Sequence, residues 1–262
     1  MSRVRPPAVA GSFYPGDQAN LSDLVDDLLS HSENRFHHFA RAFIVPHAGY
    51  QYSGSTAAEA YSLIAKQKDN IERVVLLGPC HREWISGIAV PSCDNFSSPL
   101  GDIPLDTHAI NQIAALPQVT VSDKAHKEEH SLEVQLPFLQ RSLNDFKLIP
   151  LAIGDATAEE VAEVIKSLWQ LEKTVFVVSS DLSHLLSYDD AKVIDQITNK
   201  KILNKNYQAL DHHMACGCTP IQGLLEVASE KSLNVSLLKQ CNSGDTAGDK
   251  SRVVGYAAYA IY

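Results

Sequence analysis

The sequence predicts an α/β fold: a single three-layer α/β/α domain over residues 1–262, with a mostly parallel central sheet. Three observations predict it. Short runs that are apolar throughout, such as Phe43-Ile44-Val45, Val74-Val75-Leu76-Leu77 and Val175-Phe176-Val177-Val178, read as strands buried on both faces. Stretches with helical apolar spacing alternate with them, the pattern that lays helices on both sides of a parallel sheet. No linker-like Pro/Ser run, low-complexity segment or internal repeat divides the chain.

The elements follow in order. Leu21, Leu24, Val25, Leu28 and Leu29 share one helical face, with Asn20 as the cap. A strand at 42–46 precedes a helix from about Ser53 to Lys66, with Ala57, Ala60, Tyr61 and Ile64 on one side. Strands are expected near 73–78 and 87–91. Phe96 to Gly101 reads as a loop because it is rich in turn formers. A helix near 106–116 and a short strand near 119–122 come next. The helix starting near Ser131 must kink or restart at Pro137, which cannot donate inside a helix. After a strand at 147–153, Thr157 caps a helix reaching about Leu171. Glu159 and Glu160 lie in its first turn, where the macrodipole favours them. A strand at 174–179, helices near 188–203 and 219–230, and strands near 235–240 and 252–260 complete the chain.

Composition narrows the function. A hydrophobic fraction of 45% and a charged fraction of 20% are ordinary for a globular protein with a sizeable core. The formal net charge of -9 argues against nucleic acid or an anionic membrane surface as partner, because both need a basic face. No run approaches the roughly 20 apolar residues that span a bilayer. The N-terminus, Met1 to Pro7, carries positive charge without a following apolar stretch, so no signal peptide is expected. The cysteines are five, an odd number, which fits reduced thiols and a cytoplasmic location better than a disulfide framework.

Three histidines occupy the same kind of place. His47 follows the first strand, His81 follows Gly78-Pro79-Cys80 at the end of the second, and Asp181 and His184 follow the strand ending at Ser179-Ser180. In a parallel sheet, ligands gather beyond the carboxyl ends of the strands. One shared site is therefore expected there, occupied by a metal. Taken singly, each histidine is more often a hydrogen-bonded loop residue. Gly49, before Tyr50, permits close approach to His47. Asp181 either orients His184, adds an oxygen ligand, or caps a helix or turn. His130 and Glu133, one helical turn apart, either reach the site together or form the polar start of a helix. Cys241, closing the run from Val235, either completes a two-histidine, one-thiolate set or packs as a small core residue. Cys216-Gly217-Cys218 is too tightly spaced for a zinc knuckle and reads as structural, with a redox role as the alternative. Gly244 to Ser251 is not a P-loop, since Asp249 stands where the second glycine belongs.

Seven ordered motifs resemble the Memo protein family, whose bacterial and archaeal members are called AmmeMemoRadiSam system protein B. They are Pro7 to Pro15, Pro46 to Tyr50, Gly78 to His81, Pro99 to Gly101, Glu129 to Glu133, Ser179 to His184, and Cys241. The family fold is related to class III extradiol dioxygenases, in which two histidines and a glutamate hold Fe(II) and another histidine moves protons. The resemblance implies His47, His81 and Cys241 as metal ligands, with Cys241 in place of the glutamate. It implies His184 as the acid/base with Asp181 beside it, and Tyr50, His130 and Glu133 in the pocket. Replacing the carboxylate with a thiolate shifts preference from Fe(II) toward Cu or Zn and makes the site oxidisable. Two functions follow from the resemblance: a redox metalloenzyme, or a non-catalytic protein binding a small molecule, a peptide or a metal. A protein partner of the radical SAM or AMMECR1 type is a third.

Overall fold

The computed structural model describes residues 3–33 and 36–262; Met1 and Ser2, the start of the basic N-terminal stretch, lie outside the described residues, as do Asn34 and Arg35. The chain begins with β1 (Val4–Arg5) and α1 (Gln18–Ser30). Asp17, rather than Asn20, caps α1: its carboxylate accepts from the Asn20 amide, and Asn20 sits in the first turn. β2 (Ala42–Val45) leads into α2 (Tyr50–Lys66), which begins at Tyr50 because Gly49 serves as its N-cap. β3 (Arg73–Pro79) and β4 (Ile88–Val90) follow.

The expected loop after Asn95 is a hairpin, β5 (Asn95–Ser98) and β6 (Gly101–Pro104), with Ser98 paired to Gly101. Gly101 takes φ +116, a conformation that favours glycine. Its turn residues close a hairpin, which is why they read as loop. Next come α3 (Thr107–Ile113), β7 (Val119–Val121), α4 (Asp123–Lys127) and α5 (His130–Glu133). α6 (Leu136–Ser142) carries Pro137 in its first turn, where the missing amide costs nothing. β8 (Lys147–Ile153) precedes α7 (Ala158–Leu168), whose Thr157 and Glu160 form a reciprocal capping box. β9 (Thr174–Ser179), β10 (His184–Leu186), α8 (Tyr188–Leu203), α9 (Cys218–Glu230), β11 (Val235–Asn242) and β12 (Val253–Ile261) complete the order.

The large sheet runs β10-β12-β2-β9-β3-β8-β4-β7, with β11 also on β12. Its centre, β2-β9-β3-β8, is parallel; β12 and β4 bring antiparallel pairing at the margins. A smaller sheet holds β1, β5 and β6. α1, α2 and α6 pack together on one side; on the other, α9 packs against β3 and β9 and α3 against β8, with α7 packed on both helices. This is the expected three-layer α/β/α architecture. Val74 to Leu77 of β3 are fully buried, as a strand covered on both faces must be. Burial of each such aliphatic side chain contributes on the order of 1.5–3 kcal/mol.

β9 lies between β2 and β3. The loops that follow these three strands therefore leave the sheet side by side, although they are far apart in sequence. Among the described residues no helix is long and apolar enough to cross a membrane.

Candidate metal centre

His47 leaves β2 and is almost fully buried. Its amide donates to Asp181 Oδ1 at 2.8 Å, which ties the first loop to the third. Its Nδ1 lies 2.8 Å from Ser179 Oγ. That hydroxyl gives its one proton to the Ser131 carbonyl, 2.6 Å away, so it must accept from His47. Nδ1 carries the proton, and Nε2 keeps its lone pair. Burial, then the nearby His130 and His81, hold His47 well below the usual imidazole range. The ring is a neutral donor.

His81 is oriented by Glu129. The His81 amide donates to one carboxylate oxygen, and Nδ1 lies 2.9 Å from the other. Nδ1 is again the protonated nitrogen. Burial pushes the Glu129 carboxyl up, but the hydrogen bond and charge of His81, with the Ser131 and His81 amides, reverse this and hold it at about 2. Glu129 also accepts from the Ser131 amide at 2.9 Å as the N-cap of α5. Gly78 lets α5 pack on β3: a Cβ there would stand 2.8 Å from Ser131 Oγ.

The thiol beside these two rings belongs to Cys216. Its Sγ is 3.4 Å from His47 Nε2, and one donor atom each from His47, His81 and Cys216 lie within 4.8 Å of one another. Cys216 stands just before Gly217, the N-cap of α9. The turn is bound to the end of β9: Gly217 N donates to Ser180 Oγ at 2.9 Å, and Asp181 N donates to Cys216 Sγ at 3.3 Å. A Cβ on Gly217 would lie 2.7 Å from that of Ser180, so only glycine permits this seat. Burial, then the Asp181 charge, pushes the thiol up to about 12.

The expected ligand Cys241 is not in this group. It lies on β11 opposite Tyr256 of β12, and its Sγ is 3.0 Å from Thr56 Oγ1 on α2. The Cys-Gly-Cys spacing, which excludes a zinc knuckle, says nothing against a single thiol brought in by the turn before α9. The glycine between the cysteines was the available signal. All five cysteines are free thiols.

A cavity of about 310 Å³ opens beside the cluster. His47, His130, Asp181 and His184 line it, with Phe13, Tyr52 and Tyr256 supplying aromatic surface. Asp181 is buried, and burial raises its carboxyl to about 6 against the His47 and Ala48 amides and the charges of His184 and His81. His184 is exposed, and its Nδ1 donates to the Leu182 carbonyl at 2.8 Å. His130 stacks on His81, with ring centroids 4.7 Å apart.

Two expected pocket residues, Tyr50 and Glu133, are not among those that line this cavity. Tyr50 is buried and donates to the Val134 carbonyl at 2.6 Å. Glu133 is fully buried and receives Arg5, the Ala8 amide at 2.7 Å, the Val9 amide at 2.9 Å and the Tyr14 hydroxyl at 2.6 Å. These bonds fasten the N-terminal segment that carries Phe13 to the cavity.

The parallel sheet, the histidine and thiol donors at its carboxyl edge and the adjoining cavity define an α/β protein with a site suited to a transition metal. The Memo-like protein family matches residues 5–260, so the chain belongs to the Memo family. A MEMO1 family protein of Aquifex aeolicus is 37% identical, covering 97% of both chains. One from Methanosarcina mazei is 36% identical over 98% of this chain and 99% of its own. One from Archaeoglobus fulgidus is 37% identical over 97% of this chain and 98% of its own. Among solved structures, an uncharacterised protein of Escherichia coli K12, JW3007, shares the fold with a TM-score of 0.56 and 12% identity, over 85% of this chain and all of that one.

Proposed function

We propose that this Memo-family chain holds a transition metal at His47, His81 and the Cys216 thiolate, and that a small molecule or peptide docks in the adjoining cavity. The observation that carries this reading is the aim of the His47 lone pair: Ser179 holds the proton on Nδ1, and Nε2 faces Cys216 Sγ at 3.4 Å. The donor set fits a metal. Two imidazoles with their Nδ1 protons held in hydrogen bonds are oriented as ligating histidines are, one by a hydroxyl and one by a carboxylate. A thiol and two imidazoles suit Zn, Cu or Fe rather than a hard cation such as Mg.

When bound, the metal would act as a Lewis acid or redox centre and would displace the Cys216 proton. The protein residues do the rest. Asp181, raised to about 6, and His184 exchange protons with whatever enters the cavity. Phe13, Tyr52 and Tyr256 exclude water and offer stacking surface. The redox-enzyme reading needs this acid/base pair, whereas a binding or metal-handling role needs only the ligands and the walls.

The test is metal analysis of protein purified anaerobically, followed by oxygen uptake with a panel of catechols. Near-stoichiometric metal that is lost in His47→Ala supports the site. His184→Ala should keep the metal and impair only proton-dependent turnover. Metal-free protein that takes up no Fe(II), Cu(I) or Zn(II) would overturn the reading.

A further inference from the structure

Beside the thiolate cluster lies a second group of donors that shares His81. One ligand atom each from His81, Glu129 and His130 lie within 4.8 Å of one another. Metal–ligand bonds of roughly 2.0–2.2 Å place donors about 3–4 Å apart, so small rotations close this set. Its composition, two imidazoles and one carboxylate, is the set that nonhaem Fe(II) sites use with open positions.

His130 Nδ1 is the atom that the thiolate cluster leaves unexplained. It is buried and finds no hydrogen-bond partner among the described residues, and it lies 3.4 Å from Glu129 Oε1. A buried ring nitrogen without a partner is rare and calls for an explanation, of which a bound ion is one. The ring is held in place by His81 on one side and Phe13 on the other, with centroids 4.7 Å and 4.9 Å away. Glu129 is held by the amides of His81 and Ser131.

We propose that His81, Glu129 and His130 form a second cation seat, for Mn(II) or Fe(II), and that it and the thiolate seat are filled one at a time. Exclusion follows from His81, because a neutral imidazole has one lone pair. Its Nδ1 proton now points at Glu129. A cation bound between His81, Glu129 and His130 takes the Nδ1 lone pair, and the displaced proton moves to Nε2. The thiolate seat then loses His81. Ligand hardness selects the seat: the carboxylate favours harder ions and the thiolate softer ones. The exclusion rests on the metal site proposed above; the second seat does not.

The experiment titrates the full chain anaerobically with Mn(II), followed by electron paramagnetic resonance of the free ion, and with Cd(II), followed by the near-ultraviolet thiolate band. Wild type should bind one equivalent of either. His130→Phe and His130→Gln should weaken Mn(II) about 10-fold or more and keep the Cd(II) band. Cys216→Ser should lose the band and hold Mn(II) within about twofold. Mn(II) should diminish the Cd(II) band in wild type but not in His130→Phe. Unchanged Mn(II) affinity in both His130 variants overturns the second seat, and uncoupled binding of both ions overturns exclusion. A Cd(II) band that survives Cys216→Ser overturns the assignment of that thiol, while the Mn(II) comparison still decides the second seat.

Discussion

Ser179 decides which nitrogen of His47 carries a proton. The hydroxyl donates to Ser131 O at 2.6 Å and accepts from Gln135 Nε2 and His47 Nδ1, both at 2.8 Å. Gln135 is itself fixed, giving its second amide proton to Pro46 O at 2.9 Å and accepting from Tyr61 at 2.8 Å. Every capacity of the serine is used, so the tautomer of His47 is set by a network that reaches into the core.

Ser179→Ala removes the acceptor for two buried donors at once. Stability should fall by about 1–3 kcal/mol, and metal affinity by roughly 10- to 100-fold. Urea unfolding and metal competition measure the two effects separately. Unchanged affinity would show that the tautomer lock is irrelevant to binding.

The two thiols can be ranked. Cys216→Ser should remove most of the metal affinity, because Cys216 Sγ lies beside His47 Nε2. Cys241→Ser should have a smaller effect, since its thiol contacts Thr56. Anaerobic metal content of both variants checks this. A greater loss in Cys241→Ser would return the ligand role to Cys241, as the family resemblance implies.

Glu133→Gln removes the buried countercharge of Arg5, which keeps its bonds to the His126 and Glu129 carbonyls, and weakens the grip on Ala8, Val9 and Tyr14. A loss of about 3–5 kcal/mol is expected from breaking such a pair. Hydrogen exchange at the Ala8 and Val9 amides should accelerate ahead of the strand amides. Uniform acceleration across the sheet would mean that Glu133 supports the whole core rather than this segment.

Acid should destabilise the metal-free protein partly through His126. The ring is 1% exposed, and burial holds it at about 4 despite its bond to the Ala89 carbonyl. An unfolded histidine titrates near 6.5, so the unfolded chain gains protons first as the pH falls. The contribution is fully present above about pH 6.5 and is lost on descent toward pH 4, roughly 3 kcal/mol in all. His126→Gln should flatten the stability profile over that window. Urea midpoints at pH 7, 6, 5 and 4 make the comparison; parallel profiles would dismiss His126 as the source.

Much was legible before any coordinates. The apolar runs at 43–45, 74–77 and 175–178 read as buried strands and are β2, β3 and β9, because a strand covered on both faces has no polar side to show. Thr157 was readable as a cap because Glu160 completes a local box. The hairpin at 95–104 was missed because its turn residues dominate a short segment. The anchoring role of Glu133 was missed because its partners at Arg5, Ala8, Val9 and Tyr14 are remote in the chain.

By itself the sequence determined the fold class, the strands that carry His47 and His81, and the placement of Asp181 and His184 after a third, since these follow from local periodicity and from where a strand stops. Only the tertiary structure decided that β9 lies between β2 and β3, that Cys216 rather than Cys241 meets His47, and that His130 Nδ1 lies 3.4 Å from Glu129 Oε1. Those outcomes depend on distances between residues many positions apart, such as the 169 that separate His47 from Cys216. Such distances are set by sheet order and by the close approach that Gly217 permits to Ser180, not by any local pattern.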